Sequence, residues 1–344
     1  MVLLIGDDDV KKAELTSEEV IGAVEDAYRQ DGMGLAQDTP RREVRIKGKD
    51  LPHIAPGTES IGQGLTFLEK SKVVVISHAF HFSWHRYVTM IIDSEEGKTL
   101  AIISRERPPF GVKQKGAASG DLRTGAAAAI GAKYLARQHV ESVGLLGTGN
   151  VGRGSLACLS KVRSFDRLYV HSGRGKDEEF ATEMGRILGV EAHAPDDPRD
   201  VVKNADILVT ATYATTPIVR GEWLKVGSHI SGMGSDDPLK AELDAPTFKR
   251  ANKIVIDGDK CLTTAELANP ISLGILTKAN IYGKISEIVA GKKAGRSRDD
   301  ENTIFMSDGT NLQSAGVAYL TYTKVKEMGL GRETSSIPPN IYNT

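Results

Sequence analysis

The stretch Ser142-Val-Gly-Leu-Leu-Gly-Thr-Gly-Asn-Val-Gly152 decides how this chain is read. Ser142 to Gly147 is an uncharged, mostly apolar run, as expected of a strand buried on both faces. The run enters Gly147-Thr-Gly-Asn-Val-Gly152, and a helical pattern extends from Asn150 to Val162. A G-x-G-x-x-G that leaves a buried strand and opens a helix is the fingerprint of a dinucleotide site. Gly147 allows the tight turn, Gly149 lets a pyrophosphate approach the backbone, and Gly152 permits close packing of helix on strand. Thr148, Asn150 and Val151 complete the loop, and the helix N-terminus offers free N–H groups and a positive dipole to the phosphates.

Downstream, strands and helices alternate. Arg167–Ser172 reads as a strand, Lys176–Leu188 as a helix, and 205–212, 227–231 and 253–257 as further strands. Such alternation indicates parallel βαβ units. Upstream, Leu122–Leu135 is an Ala-rich helical run. Earlier still the pattern changes. Ser17–Tyr28 reads as an amphipathic helix capped by Thr16 or Ser17. Lys72–Ser77 and Tyr87–Asp93 read as strands, and Thr99–Ser104 as the return strand of a hairpin after the turn Ser94–Gly97. Gly316–Met328 is helical again and leaves the nucleotide domain. The expected fold class is α/β: a Rossmann-type doubly wound parallel sheet domain, residues 123–311, inserted in a discontinuous α+β domain, residues 1–122 plus 312–344.

Composition excludes several function classes. Lys plus Arg is 44 and Asp plus Glu is 45, a net charge of −1, which gives no electrostatic reason to expect nucleic acid or a membrane surface as partner. Hydrophobic residues are 40% and charged residues 26%, ordinary for a globular chain. Cys158 and Cys261 belong to no C-x-x-C, so a disulfide framework and a multi-cysteine zinc site are excluded. No apolar run approaches the roughly 18 residues of a membrane span. The N-terminal apolar stretch meets Asp7, Asp8 and Asp9 and lacks the basic start and cleavage site of a signal peptide. A soluble, cytoplasmic protein is the expectation.

The choice of dinucleotide is made at the end of the second strand of the nucleotide domain, where an Asp or Glu would hold the ribose 2′-hydroxyl of NAD. Here Val170-His-Ser-Gly-Arg-Gly-Lys176 has no carboxylate until Asp177. Ser172, Arg174 and Lys176 offer a hydroxyl and two cations that suit a 2′-phosphate, so NADP(H) is favoured over NAD(H).

Five segments in order resemble the ornithine cyclodeaminase/mu-crystallin family, within a likeness running from about Thr39 to Gly331. They are Arg123–Ala127, the Gly147 loop, Gly234–Asp244, Glu287–Arg296 and Thr303–Gly309. The resemblance implies a homodimer paired through the first domain, which also binds substrate. It further implies NAD(H) or NADP(H) as cofactor and an amino acid or its imine as substrate. Activities across the family include cyclodeamination, alanine dehydrogenation, ketimine reduction and opine-type synthesis. By the resemblance Arg123 grips the substrate carboxylate, as a planar guanidinium can do bidentately. Arg41 resembles a second carboxylate ligand, with Arg42 and Arg45 as rivals. Of Lys70 and Lys72, Lys72 directly precedes Val73-Val-Val75 and is the better match to the family's substrate lysine. Asp236, with Asp237 as competitor, matches the aspartate that manages the proton on nitrogen. Lys240 holds that loop or pairs with Asp236. Thr210 and Thr212 are expected beside the cofactor, and Ser307–Gly309, with Ser307 and Gly309 at its ends, beside the nicotinamide.

The chain departs from the family in two places. Ser77–Arg86 stands where a Pro-x-Asn element is usual, and Arg105–Gly120 is extra length. His78, His81 and His85 have no carboxylate spaced to complete a metal site, so no metal is expected. The expected function is an NAD(P)-dependent oxidoreductase acting at Cα of a small L-amino acid or imino acid. The rival readings are a cyclodeaminase-type lyase with internally recycled NAD and a cofactor-binding protein without turnover.

Overall fold

The computed structural model describes residues 1–40, 42–46, 59–81, 85–106, 121–235 and 239–335. The chain divides into two units, 1–112 with 311–344, and 113–310. The sequence placed these boundaries at 122/123 and 311/312. Asp121 belongs with the second unit because it caps the Ala-rich helix there: its Oδ1 accepts from Thr124 N at 3.0 Å, and its amide donates to Asn150 O at 2.9 Å.

The first unit opens with β1 (Val2–Ile5), α1 (Asp7–Ala13) and α2 (Ser17–Met33). Thr16 caps α2 in a capping box: its hydroxyl accepts from Glu19 N, and Glu19 accepts from Thr16 N at 2.7 Å. Then follow β2 (Ala36–Asp38), β3 (Arg42–Ile46), β4 (Glu59–Leu68), β5 (Val73–His81), β6 (His85–Asp93) and β7 (Thr99–Glu106). β4 to β7 form an antiparallel meander, and β1 lies parallel to β7. Alternation sends Thr66, Leu68, Val73, Val75, Ile91, Ala101 and Ile103 to one face, where they are buried. Leu65, Phe67, Val74, Ile76, Val88, Met90, Ile92 and Ile102 point to the other face and remain partly or fully exposed.

The second unit contains α3 (Leu122–Leu135), β8 (Ser142–Leu146), α4 (Asn150–Leu159), β9 (Arg167–His171), α5 (Asp177–Leu188), β10 (Glu191–His193), α6 (Pro198–Asn204), β11 (Ile207–Thr210) and β12 (His229–Gly232). It continues with α7 (Ala245–Arg250), β13 (Lys253–Ile256), α8 (Ala265–Ser272), β14 (Ile281–Lys284), α9 (Ile285–Val289) and β15 (Thr303–Met306). Its sheet is parallel, in the order β10-β9-β8-β11-β12-β15-β13-β14. The chain moves outward from β8 to β10, then restarts on the other side of β8 at β11. That reversal opens a crevice beyond the C-terminal ends of β8 and β11, the usual ligand position in such sheets. Leu208, Ile230, Ile254 and Ile304 share one apolar cluster with Val201 and Val202 of α6 and Leu267 of α8. On the opposite face α3 comes so close that a Cβ on Gly131 would stand 2.4 Å from the Phe305 ring. This is the doubly wound architecture expected from the alternation.

The chain then returns to the first unit with α10 (Asn311–Glu327), which packs on α2 and across β4–β7, and with β16 (Arg332–Thr334), antiparallel to β1. Both cysteines are free and buried. Among the described residues no helix is long and apolar enough to cross a membrane.

Candidate cofactor and substrate site

The loop after β8 has the geometry its glycines require. Gly147 adopts φ 103°, and a Cβ there would stand 2.3 Å from Ala211 O and 3.0 Å from Thr212 Cγ2. A side chain at Gly152 would strike Gly147 O at 2.2 Å. Gly149 differs: it is the N-cap of α4, and among the described residues no side chain caps the helix and nothing lies within 4 Å of a Cβ placed on it. Thr148, Gly149 and Asn150 are half-buried to exposed, and Val151 is half-buried. Among the described residues the first N–H groups of α4 therefore stand uncovered above a rigid turn, which fits a dinucleotide pyrophosphate. α3 crosses α4 through glycine: a Cβ on Gly125 would be 2.2 Å from Gly154 O, and one on Gly154 would be 2.2 Å from Asp121 O.

At the end of β9, Ser172 and Asp177 close on each other. Asp177 accepts from Ser172 N at 2.8 Å and from the Ser172 hydroxyl. Arg174 and Lys176 are exposed, between Gly173 at φ 66° and Gly175 at φ 70°. Among the described residues no carboxylate forms an ion pair with either cation. The first carboxylate after β9 thus faces its own loop, while both cations are exposed.

Thr210 and Thr212 both bond Glu242. Thr210 is fully buried and its hydroxyl donates to Glu242 Oε2 at 2.7 Å. Thr212 donates both its amide, at 2.6 Å, and its hydroxyl, at 2.7 Å, to Glu242 Oε1. Their polar groups turn inward to a buried carboxylate, beneath the loop that follows β11. Gly234 N also donates to Glu242 Oε2, at 3.2 Å. Glu266 lies just behind and accepts from the amides of Glu242 and Leu243, each at 2.6 Å. Burial, then the neighbouring Glu242 charge, pushes the Glu266 carboxyl up to about 8. Burial raises Glu242 too, against the lowering pull of the hydrogen bonds from Thr210, Thr212 and Gly234.

Arg123, in the first turn of α3, is largely buried, with its Nη2 3.9 Å from Asp121 Oδ2. Its guanidinium lies against Gly309, where φ is 83° and a Cβ would stand 2.9 Å from Nη1. The structure thus brings Arg123 to the Ser307–Gly309 loop. Asp257, at the end of β13, holds that loop by accepting from Ser307 Oγ at 2.5 Å and from Gly309 N at 3.2 Å. Asp257, Cys261 and Asp308 form a buried cluster, with Lys260 Nζ 3.3 Å from Asp308 Oδ2. Cys261 Sγ donates to Asp257 Oδ1 at 3.1 Å, so the cluster works as a clamp on the loop. The Lys240 ammonium sits over the Tyr213 ring, 4.3 Å from its centroid.

Lys72 requires a correction. It does not open a strand; it ends the turn Glu69–Lys72 in the left-handed region, at φ 52°. Its exposed ammonium hydrogen-bonds Glu95 Oε1 at 2.7 Å, which holds it protonated. Lys70 likewise pairs with Asp26, at 2.7 Å. Both lysines are thus paired with surface carboxylates. Arg41, Asp236 and Asp237 lie outside the described residues, as do residues 107–120 of the extra segment and the side chains of Arg42, Arg45, His81 and His85. His78 stacks on Phe80.

The sequence reading assigned no role to Glu242, Glu266 or Asp257. Glu242 stood inside the quoted Gly234–Asp244 segment, and Asp257 closes the strand-like run Lys253–Asp257, a carboxylate at the ligand edge of a buried strand.

Comparison with known proteins agrees with this geometry. The family model described as Ornithine cyclodeaminase/mu-crystallin family matches residues 85–329. The Δ1-pyrroline-2-carboxylate reductase of Bacillus cereus is 29% identical over 286 residues, 82% of this chain and 83% of that protein. The structure of Thermococcus litoralis Δ1-pyrroline-2-carboxylate reductase in complex with NADH and L-proline superimposes with a TM-score of 0.84 at 28% identity, covering 97% of this chain and 100% of that one. An archaeal alanine dehydrogenase dimer with bound NAD gives 0.81 at 26% identity, covering 97% and 99%. The chain belongs to the ornithine cyclodeaminase/mu-crystallin family.

Proposed function

We propose that this member of the ornithine cyclodeaminase/mu-crystallin family is a nicotinamide-dependent oxidoreductase that interconverts a small L-amino acid and its imine or cyclic ketimine. One observation carries the reading. The Arg123 guanidinium is held against the loop after β15, at the same edge of the parallel sheet as the open glycine cradle after β8. A fixed cation beside a dinucleotide site suits an anionic substrate, and a guanidinium suits a carboxylate.

When bound, the nicotinamide supplies or accepts the hydride at substrate Cα. The chain's own groups do the rest. Arg123 binds and orients the carboxylate. Asp236 is assigned the proton that nitrogen gains on reduction and loses on oxidation, and Arg41 a second contact to the carboxylate, as the resemblance implies. Lys240 steadies its loop through Tyr213. Arg174 and Lys176 support NADP(H) over NAD(H), since both cations face outward while Asp177 is engaged by Ser172. The apolar outer face of the first unit's sheet, with Leu65 41% exposed, supports pairing with a second copy of the chain.

The test is a cofactor-absorbance assay with NADPH and NADH against Δ1-pyrroline-2-carboxylate, other cyclic ketimines, pyruvate with ammonia or methylamine, and ornithine. Oxidation of NADPH by an imino acid is expected. Turnover of ornithine without net absorbance change would instead establish the cyclodeaminase reading. No turnover of any kind across the panel would leave a binding protein.

A further inference from the structure

The two loops that leave β11 and β12 both end on one buried carboxylate. Glu242 is fully buried, and its two oxygens accept four hydrogen bonds, from Thr210 Oγ1, Thr212 N, Thr212 Oγ1 and Gly234 N. Its backbone is used as fully: the carbonyl accepts from Ile218 N at 2.8 Å and Val219 N at 2.9 Å, and the amide goes to Glu266. The two backbone donors, Thr212 N on Oε1 and Gly234 N on Oε2, require an acceptor at each position, which a carboxylate supplies and an amide does not. Gly234 has no side chain where a Cβ would stand 2.5 Å from Glu242 Oε1. The grip reaches the cofactor loop directly, because Ala211 and Thr212 form the wall against which Gly147 turns, with Ala211 O 2.3 Å and Thr212 Cγ2 3.0 Å from where its Cβ would be.

We propose that Glu242 is a positioning residue for the nicotinamide dinucleotide: by tying Thr210, Thr212 and Gly234 to one point it sets the wall of the Gly147 turn and the floor of the crevice beyond β8 and β11. The proposal rests on the dinucleotide reading of the Gly147 loop. Glu242 touches neither cofactor nor substrate; it acts through the backbone of the loops it holds.

A purely structural carboxylate would affect stability alone, and the same sheet supplies the comparison. Asp206, at the opposite edge, is also buried and multiply bonded, to Arg137, Lys225, Ser142 N and Glu141 N. Glu242→Gln and Asp206→Asn are to be compared with wild type by thermal midpoint, by NADPH affinity from fluorescence titration, and by kcat with saturating cofactor. Glu242→Gln is expected to weaken NADPH binding about tenfold and to lower kcat about 100-fold, the scale of a misplaced reacting geometry. Asp206→Asn is expected to lower the midpoint while affinity and kcat stay within about twofold of wild type. If the two variants lose stability alike and Glu242→Gln keeps wild-type affinity and kcat, the proposal falls. Should Glu242→Gln not fold, Thr210→Val, which removes one donor and little volume, carries the test: NADPH affinity unchanged from wild type would overturn the proposal. The affinities need no substrate, so they decide the role of Glu242 even if no imino acid is turned over.

Discussion

The guanidinium of Arg123 lies against Gly309, so closely that a Cβ on residue 309 would stand 2.9 Å from Nη1. Gly309 also has φ 83°, a conformation that an L-residue adopts only with strain. Gly309→Ala therefore displaces the guanidinium and strains the loop that Asp257 clamps. We expect kcat/KM for the imino acid to fall about 100-fold, mainly through KM. Steady-state kinetics check this, and an unchanged KM would show that Arg123 does not bind substrate through this placement.

Arg123→Ala is the more direct test. Two hydrogen bonds from a guanidinium to a carboxylate contribute about 1.5–3 kcal/mol each, so removing them lowers kcat/KM by at least about 100-fold. NADPH affinity, read by fluorescence, should stay within about twofold, because the cradle of Gly147, Gly149 and α4 is untouched. Loss of NADPH binding in this variant would place Arg123 at the cofactor instead. Arg123→Lys should recover little, since an ammonium cannot reproduce a planar two-point contact.

Arg174 and Lys176 carry the cofactor prediction. Replacing both with Ala should weaken NADPH binding about tenfold or more and leave NADH binding within about twofold, since two charge-assisted contacts to a 2′-phosphate are lost. Equal losses for both cofactors would mean that these cations do not read the 2′ position. The preference should also narrow as salt rises, because both side chains are exposed and screened.

What was legible in the sequence was local. The glycine turn announced itself because φ, close approach and helix entry are encoded within the few residues from Gly147 to Gly152. The alternating strands and helices showed the parallel sheet for the same reason. The supports of the site are not local: Thr210 meets Glu242 across 32 residues, and Ser307 meets Asp257 across 50. No periodicity marks such pairs, so the bonds of Thr210 and Thr212 to a buried carboxylate could not be read from the sequence. Val73–Ile76 is apolar and β-branched, a pattern that shows a strand but not whether the preceding Lys72 belongs to it. Glu69–Lys72 is a tight turn between antiparallel strands, and its lysines pair with surface acids.

The carboxyl of Glu266 supplies a prediction about pH. Burial and the charge of Glu242 raise it from an ordinary 4.5 to about 8, so the folded chain keeps a proton that the unfolded chain releases. The native state binds more protons than the unfolded state between these values, and stability therefore falls as pH rises across that window. The contribution is complete below about pH 4.5, declines through the neutral range and is lost above about pH 8. Glu266→Gln cannot ionise and lacks this decline, whatever fixed offset its altered contacts with the Glu242 and Leu243 amides introduce. Thermal midpoints of wild type and variant, measured from pH 5 to pH 9, should therefore diverge in one direction. The variant gains on wild type as pH rises, and the difference levels off above about pH 8. A difference that stays flat over the range would mean that Glu266 does not hold its proton in the fold.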